Sequence, residues 1–222
     1  MQGLPDWSQR RAQDPGNVDS TFVVADPWTP DSVDPKESLR TADPITHYFG
    51  IPHSGKTIGY IVDGDATMAA YIDNVATLTN SVNEAIEKGT KRFGVMLAVE
   101  RDGKTVVESA EPSTDLEGAR AILTGQLASG RTDLSKALSV ASNWYADEIF
   151  LVLSKPVSAD QMEVLTQGAE QTSAVVHVIA LGPAAQQDLS PIAKATGGTF
   201  VPVADAEITQ LVDRQNEAKS RG

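Results

Sequence analysis

Apolar residues from position 57 onward follow two alternating patterns. Short β-branched, apolar runs predict strands, and stretches with apolar residues three or four positions apart predict helices between them. The predicted strands cover residues 57–62, 93–99, 105–109, 149–153, 175–181 and 199–203. The predicted helices cover residues 68–86, 115–127, 134–141, 158–170, 188–195 and 206–214. The alternation of strand and helix predicts an α/β fold.

Local signals refine these boundaries. The Asp-Gly pair at 102–103 predicts a hairpin between the second and third strands. Asp133 is a predicted helix N-cap, Ser158 and Gln161 form a predicted capping box, and Gly89 is expected to end the first helix. The fold we predict is a three-layer α/β/α sandwich of Rossmann-like type. Its central sheet is mostly parallel, with one antiparallel edge strand.

The first fifty residues have a different composition. They hold six of the twelve prolines and seven aspartates, so we expect little regular structure there. Trp7, Trp28 and the apolar residues 22–24 nevertheless indicate that part of this stretch packs on the following domain. We therefore divide the chain into an N-terminal arm or linker at 1–50, a domain at 51–214 and a polar C-terminal tail at 215–222.

Charge and cysteine content exclude several classes of function. The 18 Lys and Arg against 30 Asp and Glu give a net charge of −12, which argues against a nucleic-acid partner. The absence of cysteine excludes disulfides, thiolate zinc sites and cysteine nucleophiles. No apolar run approaches the roughly 20 residues that a membrane-spanning helix needs. The first residues also lack the apolar core of a secretory signal.

A nucleotide P-loop pattern occurs at residues 50–57, which read GIPHSGKT. This pattern matches G-x-x-x-x-G-K-[ST], but the chemistry requires that the Lys-Thr pair begin a helix, whose N-terminus then faces the phosphate. Here the pair begins a predicted strand. We therefore expect no bound nucleotide.

Asp63 and Asp65 follow the first predicted strand and allow an enzymatic interpretation. With Thr67 they resemble the first motif of the haloacid-dehalogenase phosphatases. In that superfamily the first Asp is the nucleophile and the second the general acid. The resemblance also implies a later acidic pair that holds Mg²⁺. The expected strand end at 182–184 reads Gly-Pro-Ala and has no carboxylate.

An ordered set of segments resembles the von Willebrand factor A family, in its bacterial form. The matching segments are IVDGDATM at 61–68, GRTDL at 130–134, the apolar strand and SKP at 149–156, ATGGTF at 195–200 and DAEI at 205–208. The resemblance implies a metal-ion-dependent adhesion site at the strand ends, in which Asp and hydroxyl oxygens hold Mg²⁺. Carried over by position, that site would use Asp63, Asp65, Thr67 and Thr132.

Lys155 departs from the family pattern, because it stands where the resemblance implies a second Asp. Its ammonium group can donate to Asp63 and Asp65. A divalent ion beside it would be repelled by an energy of about 4 kcal/mol or more. We therefore predict a degenerate, metal-free site whose cation is Lys155, with no cofactor.

These observations lead to a functional expectation with two alternatives. We expect a non-enzymatic module that binds an unidentified protein partner at a face formed by Asp63, Asp65, Thr67, Thr132 and Lys155. The alternatives are a Mg²⁺-dependent phosphatase that uses Asp63 and Asp65, and a functional Mg²⁺-dependent adhesion site. The sequence leaves the location open. We expect a chain that is soluble as given, and it is compatible with the soluble part of a membrane-anchored bacterial protein.

Overall fold

The computed structural model describes residues 34–86, 91–114, 116–124 and 128–221. Residues 1–33 of the predicted arm lie outside this range. Gly89, the predicted end of the first helix, also lies outside it. The same holds for Asp115 and residues 125–127, the two ends of the helix predicted at 115–127. The compact unit that contains the described residues begins at Asp34.

Eight strands form two sheets in the described part of the chain. β1 and β2 form a small antiparallel pair, and the other six strands form the central sheet in the order β5-β4-β3-β6-β7-β8. The strands are β1 (His47–Tyr48), β2 (Ile51–Pro52), β3 (Thr57–Asp63), β4 (Arg92–Arg101), β5 (Lys104–Ser113), β6 (Glu148–Leu153), β7 (Val175–Leu181) and β8 (Phe200–Val203).

The central sheet is parallel except at one edge. β3 pairs in parallel with β4 and β6, and β6, β7 and β8 continue in parallel. β5 runs antiparallel to β4 and joins it through the predicted turn at 102–103. The prediction of a mostly parallel sheet with one antiparallel edge strand is confirmed.

Helices cover both faces of the central sheet, as the alternation of side chains along each strand requires. Tyr60 and Val62 of β3 pack into one apolar cluster with α2 and α3. Ile61 packs into the opposite cluster with α4 and α5. The helices are α1 (Pro35–Thr41), α2 (Ile72–Ile86), α3 (Leu116–Thr124), α4 (Leu134–Ala141), α5 (Ala159–Gln171), α6 (Ser190–Lys194) and α7 (Asp205–Arg221).

The segment 34–52 has more regular structure than its composition predicts. Asp34 caps α1 by accepting the backbone N–H of Lys36, and Pro35 takes the first helical position, where no N–H is needed. Leu39 of α1 and Tyr48 of β1 are buried in the core. The expectation of little regular structure in the first fifty residues is therefore wrong for residues 35–41 and for β1.

The last helix is longer than predicted. α7 ends at Arg221 instead of Arg214, so most of the predicted polar tail is helical. α1 and the segment that follows it hold this end of α7 in place. The Arg214 guanidinium donates to the carbonyl of Leu39 at 3.0 Å, and the buried Gln215 amide donates to the carbonyl of Pro44 at 3.0 Å. The local sequence becomes polar after residue 214 and does not reveal these long-range contacts.

The strand order reverses beside β3. The chain proceeds from β3 to β4 and β5 on one side, and then crosses to β6, β7 and β8 on the other. In open α/β sheets, ligands bind outside the carboxyl ends of the strands at such a switch point. The carboxyl ends of β3 and β6 carry Asp63 and the pair Ser154-Lys155. In the described residues, no helix is both long enough and apolar enough to cross a membrane.

Candidate functional site

Asp63 is the last residue of β3 and is fully buried. Its Oδ1 accepts a hydrogen bond from the hydroxyl of Thr132. Its Oδ2 is also buried and has no hydrogen-bond partner among the described residues. Burial raises the pKa of Asp63 to about 6, with a smaller raising effect from Asp65, while the Thr132 hydroxyl and Lys155 act to lower it.

Gly64 lets the chain turn sharply after Asp63. Its N–H donates to the carbonyl of Ala98 on β4 at 2.7 Å. A Cβ at position 64 would lie 2.6 Å from that same oxygen, which no side chain tolerates. The turn therefore places Asp63 and Asp65 side by side at the end of the sheet.

Asp65 is the N-cap of a short 3-10 helix, Ala66–Ala70. Its Oδ1 accepts the backbone N–H groups of Thr67 at 2.9 Å and Met68 at 3.2 Å. The hydroxyl of Ser154 also approaches Oδ1, at 3.4 Å. Asp65 Oδ2 forms an ion pair with Lys155 Nζ at 3.2 Å. Both oxygens of this buried carboxylate therefore have partners.

Lys155 follows β6 and is 23% exposed at its side chain, against 4% for Asp65. We predicted that its ammonium group would contact both aspartates. Between these described residues, the ion pair joins Lys155 to Asp65 and not to Asp63. Asp63 receives only the longer-range attraction of Lys155. Contact with Asp63 was therefore the wrong part of that prediction.

Thr132 reaches the site because its loop is tied to the turn after β3. The N–H of Ser129 donates to the carbonyl of Gly64 at 2.8 Å, and the N–H of Ala66 donates to the carbonyl of Gly130 at 3.2 Å. Gly130 has φ +71, a conformation that favours glycine. The loop then ends at the predicted N-cap, Asp133, which accepts the N–H of Ser135 at 3.0 Å.

Thr67 is less involved than the other four predicted site residues. Its backbone N–H binds Asp65, but its hydroxyl makes no hydrogen bond with another described residue. The structure therefore groups Asp63 with Thr132, and Asp65 with Lys155, at the ends of β3 and β6. Ser154 is a further member of the site that the predicted set of five residues did not include.

A cavity of about 330 Å³ opens beside Asp63, between the first turns of α4 and α5. Sequence reasoning missed most of this cavity. Its lining residues are Asp63, Thr132, Asp133, Leu134, Ser135, Lys155, Val157, Asp160, Gln161, Val164 and Leu165. The predicted caps at Asp133 and Ser158 located both helix starts. However, only the order of the strands brings those starts together.

The P-loop-like segment lies before β3 and is occupied by internal contacts. Thr57 begins β3 and not a helix, as predicted. The N–H groups of Lys56 and Thr57 each donate to the Asp147 carboxylate at 2.8 Å. The N–H of Ser54 donates to the Glu148 carboxylate at 3.0 Å. Carboxylates of this chain therefore occupy the amides that a phosphate would need.

Comparisons with known proteins add no argument about this chain. No protein-family model matches the chain, and no curated protein matches it. One of the matching solved structures is the crystal structure of the human COPII-coat protein Sec24c. It aligns with a TM-score of 0.46 and 11% identity, over 75% of this chain and 32% of that chain. The chain thus spans about a third of that protein's chain, and a likeness of this degree carries no argument about function.

Proposed function

We propose that this protein is a non-enzymatic binding module of von Willebrand factor A type, which binds a protein partner at the carboxyl ends of β3 and β6. In this proposal, Lys155 stands in place of the metal ion of an adhesion site. The observation that carries the proposal is the ion pair between Lys155 and Asp65, which lies next to Asp63 and its cavity at the switch point of the sheet.

The partners already present around the two carboxylates support a metal-free site. Asp65 uses one oxygen for two backbone N–H groups and the other for Lys155, and Asp63 uses one oxygen for Thr132. A Mg²⁺ ion requires about six oxygen ligands in near-octahedral geometry. Among the side-chain oxygens of the four predicted ligands, Asp63 Oδ2 and the Thr67 hydroxyl have no hydrogen-bond partner in the described part of the chain, and two open oxygens are a poor fit to Mg²⁺.

The charge of Lys155 supports the same conclusion. Two unit charges 4 Å apart interact by about 4 kcal/mol at an effective dielectric constant of 20. A divalent ion near Asp65 would meet about twice that repulsion from the ammonium group, unless Lys155 moved away. A functional Mg²⁺-dependent adhesion site is therefore the weaker alternative.

The role of Asp65 also favours binding over phosphoryl transfer. A general acid must carry a proton and release it to a leaving group. Asp65 accepts the N–H groups of Thr67 and Met68 at one oxygen and pairs with Lys155 at the other, so neither oxygen is open to a leaving group. A phosphatase that uses Asp65 as its acid is therefore the weaker alternative. Its signature would be an acid-labile phosphate on Asp63.

Site-specific photo-cross-linking tests the proposal. A benzophenone amino acid replaces Val164, whose side chain is 47% exposed at the cavity rim. The matched control places it at Tyr145, which is 78% exposed and precedes β6, at the opposite, amino-terminal end of that strand. In a lysate of the source organism, we expect one protein to cross-link at position 164 and not at 145, with the same yield in excess EDTA.

Two results of this experiment would contradict the proposal. Equal labelling at positions 164 and 145, or none at either, would show that the strand-end face binds no protein. A cross-link that EDTA abolishes and Mg²⁺ restores would show a metal-dependent adhesion site.

A further inference from the structure

The cavity beside Asp63 has an apolar wall and an acidic end. Leu134, Val157, Val164 and Leu165 form the apolar wall, and of these only Val164 is exposed. An exposed valine next to three buried apolar residues leaves hydrophobic surface open to solvent at the rim. Such a surface favours a ligand with an aliphatic part.

The charges of the cavity favour a cation. Three carboxylates line it, those of Asp63, Asp133 and Asp160, against one ammonium group, that of Lys155. Lys155 is already paired with Asp65, which lies outside the lining set. The positive ends of α4 and α5 also face this region, but each helix already carries an acidic residue at its cap or in its first turn. A positive group therefore complements the cavity better than a negative one.

Asp63 supplies the point at which that cation would bind. Its Oδ2 is buried and is without a hydrogen-bond donor among the described residues. A buried carboxylate oxygen without a partner is costly, and a ligand that donates to it recovers this cost. Asp63 also forms part of the cavity wall.

The size of the cavity limits the ligand to a side chain. A volume of about 330 Å³ lies at the lower end of the range for ligand pockets, roughly 300–1,000 Å³. It admits one long side chain with part of its neighbour, and not a helix. A basic side chain fits both ends, because its aliphatic stem covers apolar surface while its charged head makes hydrogen bonds.

We propose that this cavity binds a basic side chain, arginine or lysine, of the partner protein. The charged end donates to Asp63 Oδ2, and the stem packs on Leu134, Val157 and Val164. This inference rests on the proposed function and gives the chemistry of its partner. A site filled by a metal ion would attract an acidic group of the partner. Here the acidic group belongs to this protein and the basic group to the partner.

The test measures binding of two blocked dipeptides to the full 222-residue chain by amide chemical shifts. The probes are acetyl-Leu-Arg-amide and acetyl-Leu-citrulline-amide, which differ in charge and hardly in shape. We expect the arginine peptide to bind about tenfold more tightly and to shift the amides of Thr132, Leu134 and Val164. A lysine peptide with a norleucine control extends the test to the second basic side chain.

Matched variants separate Asp63 from general electrostatic attraction. We expect Asp63→Asn to abolish the preference for the charged peptide, and Asp213→Asn, an exposed aspartate on α7, to leave it unchanged. Asp160 lines the cavity and is exposed to solvent. We expect Asp160→Asn to weaken the preference for the charged peptide about two- to threefold, as is typical of an exposed charge. Because the comparison of peptides needs no variant, it remains valid even if Asp63→Asn fails to fold.

The outcomes distinguish this inference from the proposed function. Suppose that neither basic peptide binds better than its neutral control while the cross-link at position 164 persists. The proposed function then stands, and the inference that the cavity binds a basic side chain is overturned. Tighter binding of acetyl-Leu-Asp-amide would overturn the inference by showing that Lys155 receives an acidic group. Absence of both the peptide preference and the cross-link would overturn both proposals.

Discussion

Asp63 has two carboxylate oxygens in different environments. One accepts the Thr132 hydroxyl, and the other is buried without a partner among the described residues. The resulting pKa of about 6 lies above the value near 3.9 of an unfolded chain. The native state therefore holds this proton more tightly than the unfolded state, and above pH 6 it must bury a negative charge. The unfavourable free energy of burying such a charge is typical of functional sites, where a reactive or binding group lowers the stability of the fold.

This difference in pKa predicts a pH-dependent effect of Asp63→Asn. Between about pH 4 and pH 6 the native protein binds more protons than the unfolded one, so the contribution of Asp63 to the free energy of unfolding falls as pH rises. The asparagine variant lacks this term. We expect its stability relative to wild type to increase by about 2 kcal/mol from pH 4 to pH 7.5, measured by urea unfolding.

The control for this prediction is Asp213→Asn, because Asp213 is exposed on α7. Its stability curve should run parallel to that of wild type across the same pH range. If the Asp63→Asn curve is also parallel to wild type, the carboxylate of Asp63 is not buried without a partner, and the description of the site is wrong.

Most residues of the site were predictable from the sequence. The details that were not predictable have physical reasons. Asp63, Asp65, Thr132 and Lys155 stand at strand and loop ends that the sequence pattern marks. The exact partners of Lys155 were not predictable, because a four-carbon stem reaches either carboxylate. Asp65 turns out to be the N-cap of a 3-10 helix, which fixes its position next to Lys155. The sequence pattern had assigned residues from Met68 onward to an α-helix.

At the scale of elements, α1 and α7 support each other. Leu39 of α1 is 2% exposed, and its carbonyl accepts from Arg214 of α7. Arg40 of α1 also pairs with Glu207 of α7 at 3.0 Å. The local pattern did not predict α1, which lies in a proline-rich stretch. It predicted α7 only as far as Arg214, because the sequence beyond that residue is polar. Contacts between elements far apart in sequence outweigh local propensity at both places.

This contact predicts that α1 belongs to the folded unit. Leu39→Ala removes buried apolar volume and should lower the free energy of unfolding by about 2–4 kcal/mol, in a single transition measured by chemical denaturation. Val140→Ala, at a position that is 36% exposed, is the control and should change it by at most about 0.5 kcal/mol. A loss no larger for Leu39→Ala than for Val140→Ala would mean that α1 is not packed on the unit.

At the scale of the whole molecule, the strand order makes the site. β3 and β6 are far apart in sequence and adjacent in the sheet, so the segments that follow them bring Asp65 and Lys155 into contact at the switch point. The sequence predicted the kinds of element and the single antiparallel edge. It did not predict the cavity, because the first turns of α4 and α5 meet only through long-range pairing of strands. The net charge of −12 agrees with a basic partner, whose approach it would accelerate.

In the proposed site Lys155 takes the place of a divalent ion, and this can be tested by a calorimetric titration of metal-stripped protein with Mn²⁺. Wild type should bind no Mn²⁺ up to millimolar concentrations. Lys155→Asp, which removes the ammonium group and adds a carboxylate, should gain one site that Mg²⁺ competes for. One-site binding by wild type that Asp63→Ala abolishes, or no gain of affinity in a folded Lys155→Asp variant, would contradict the account.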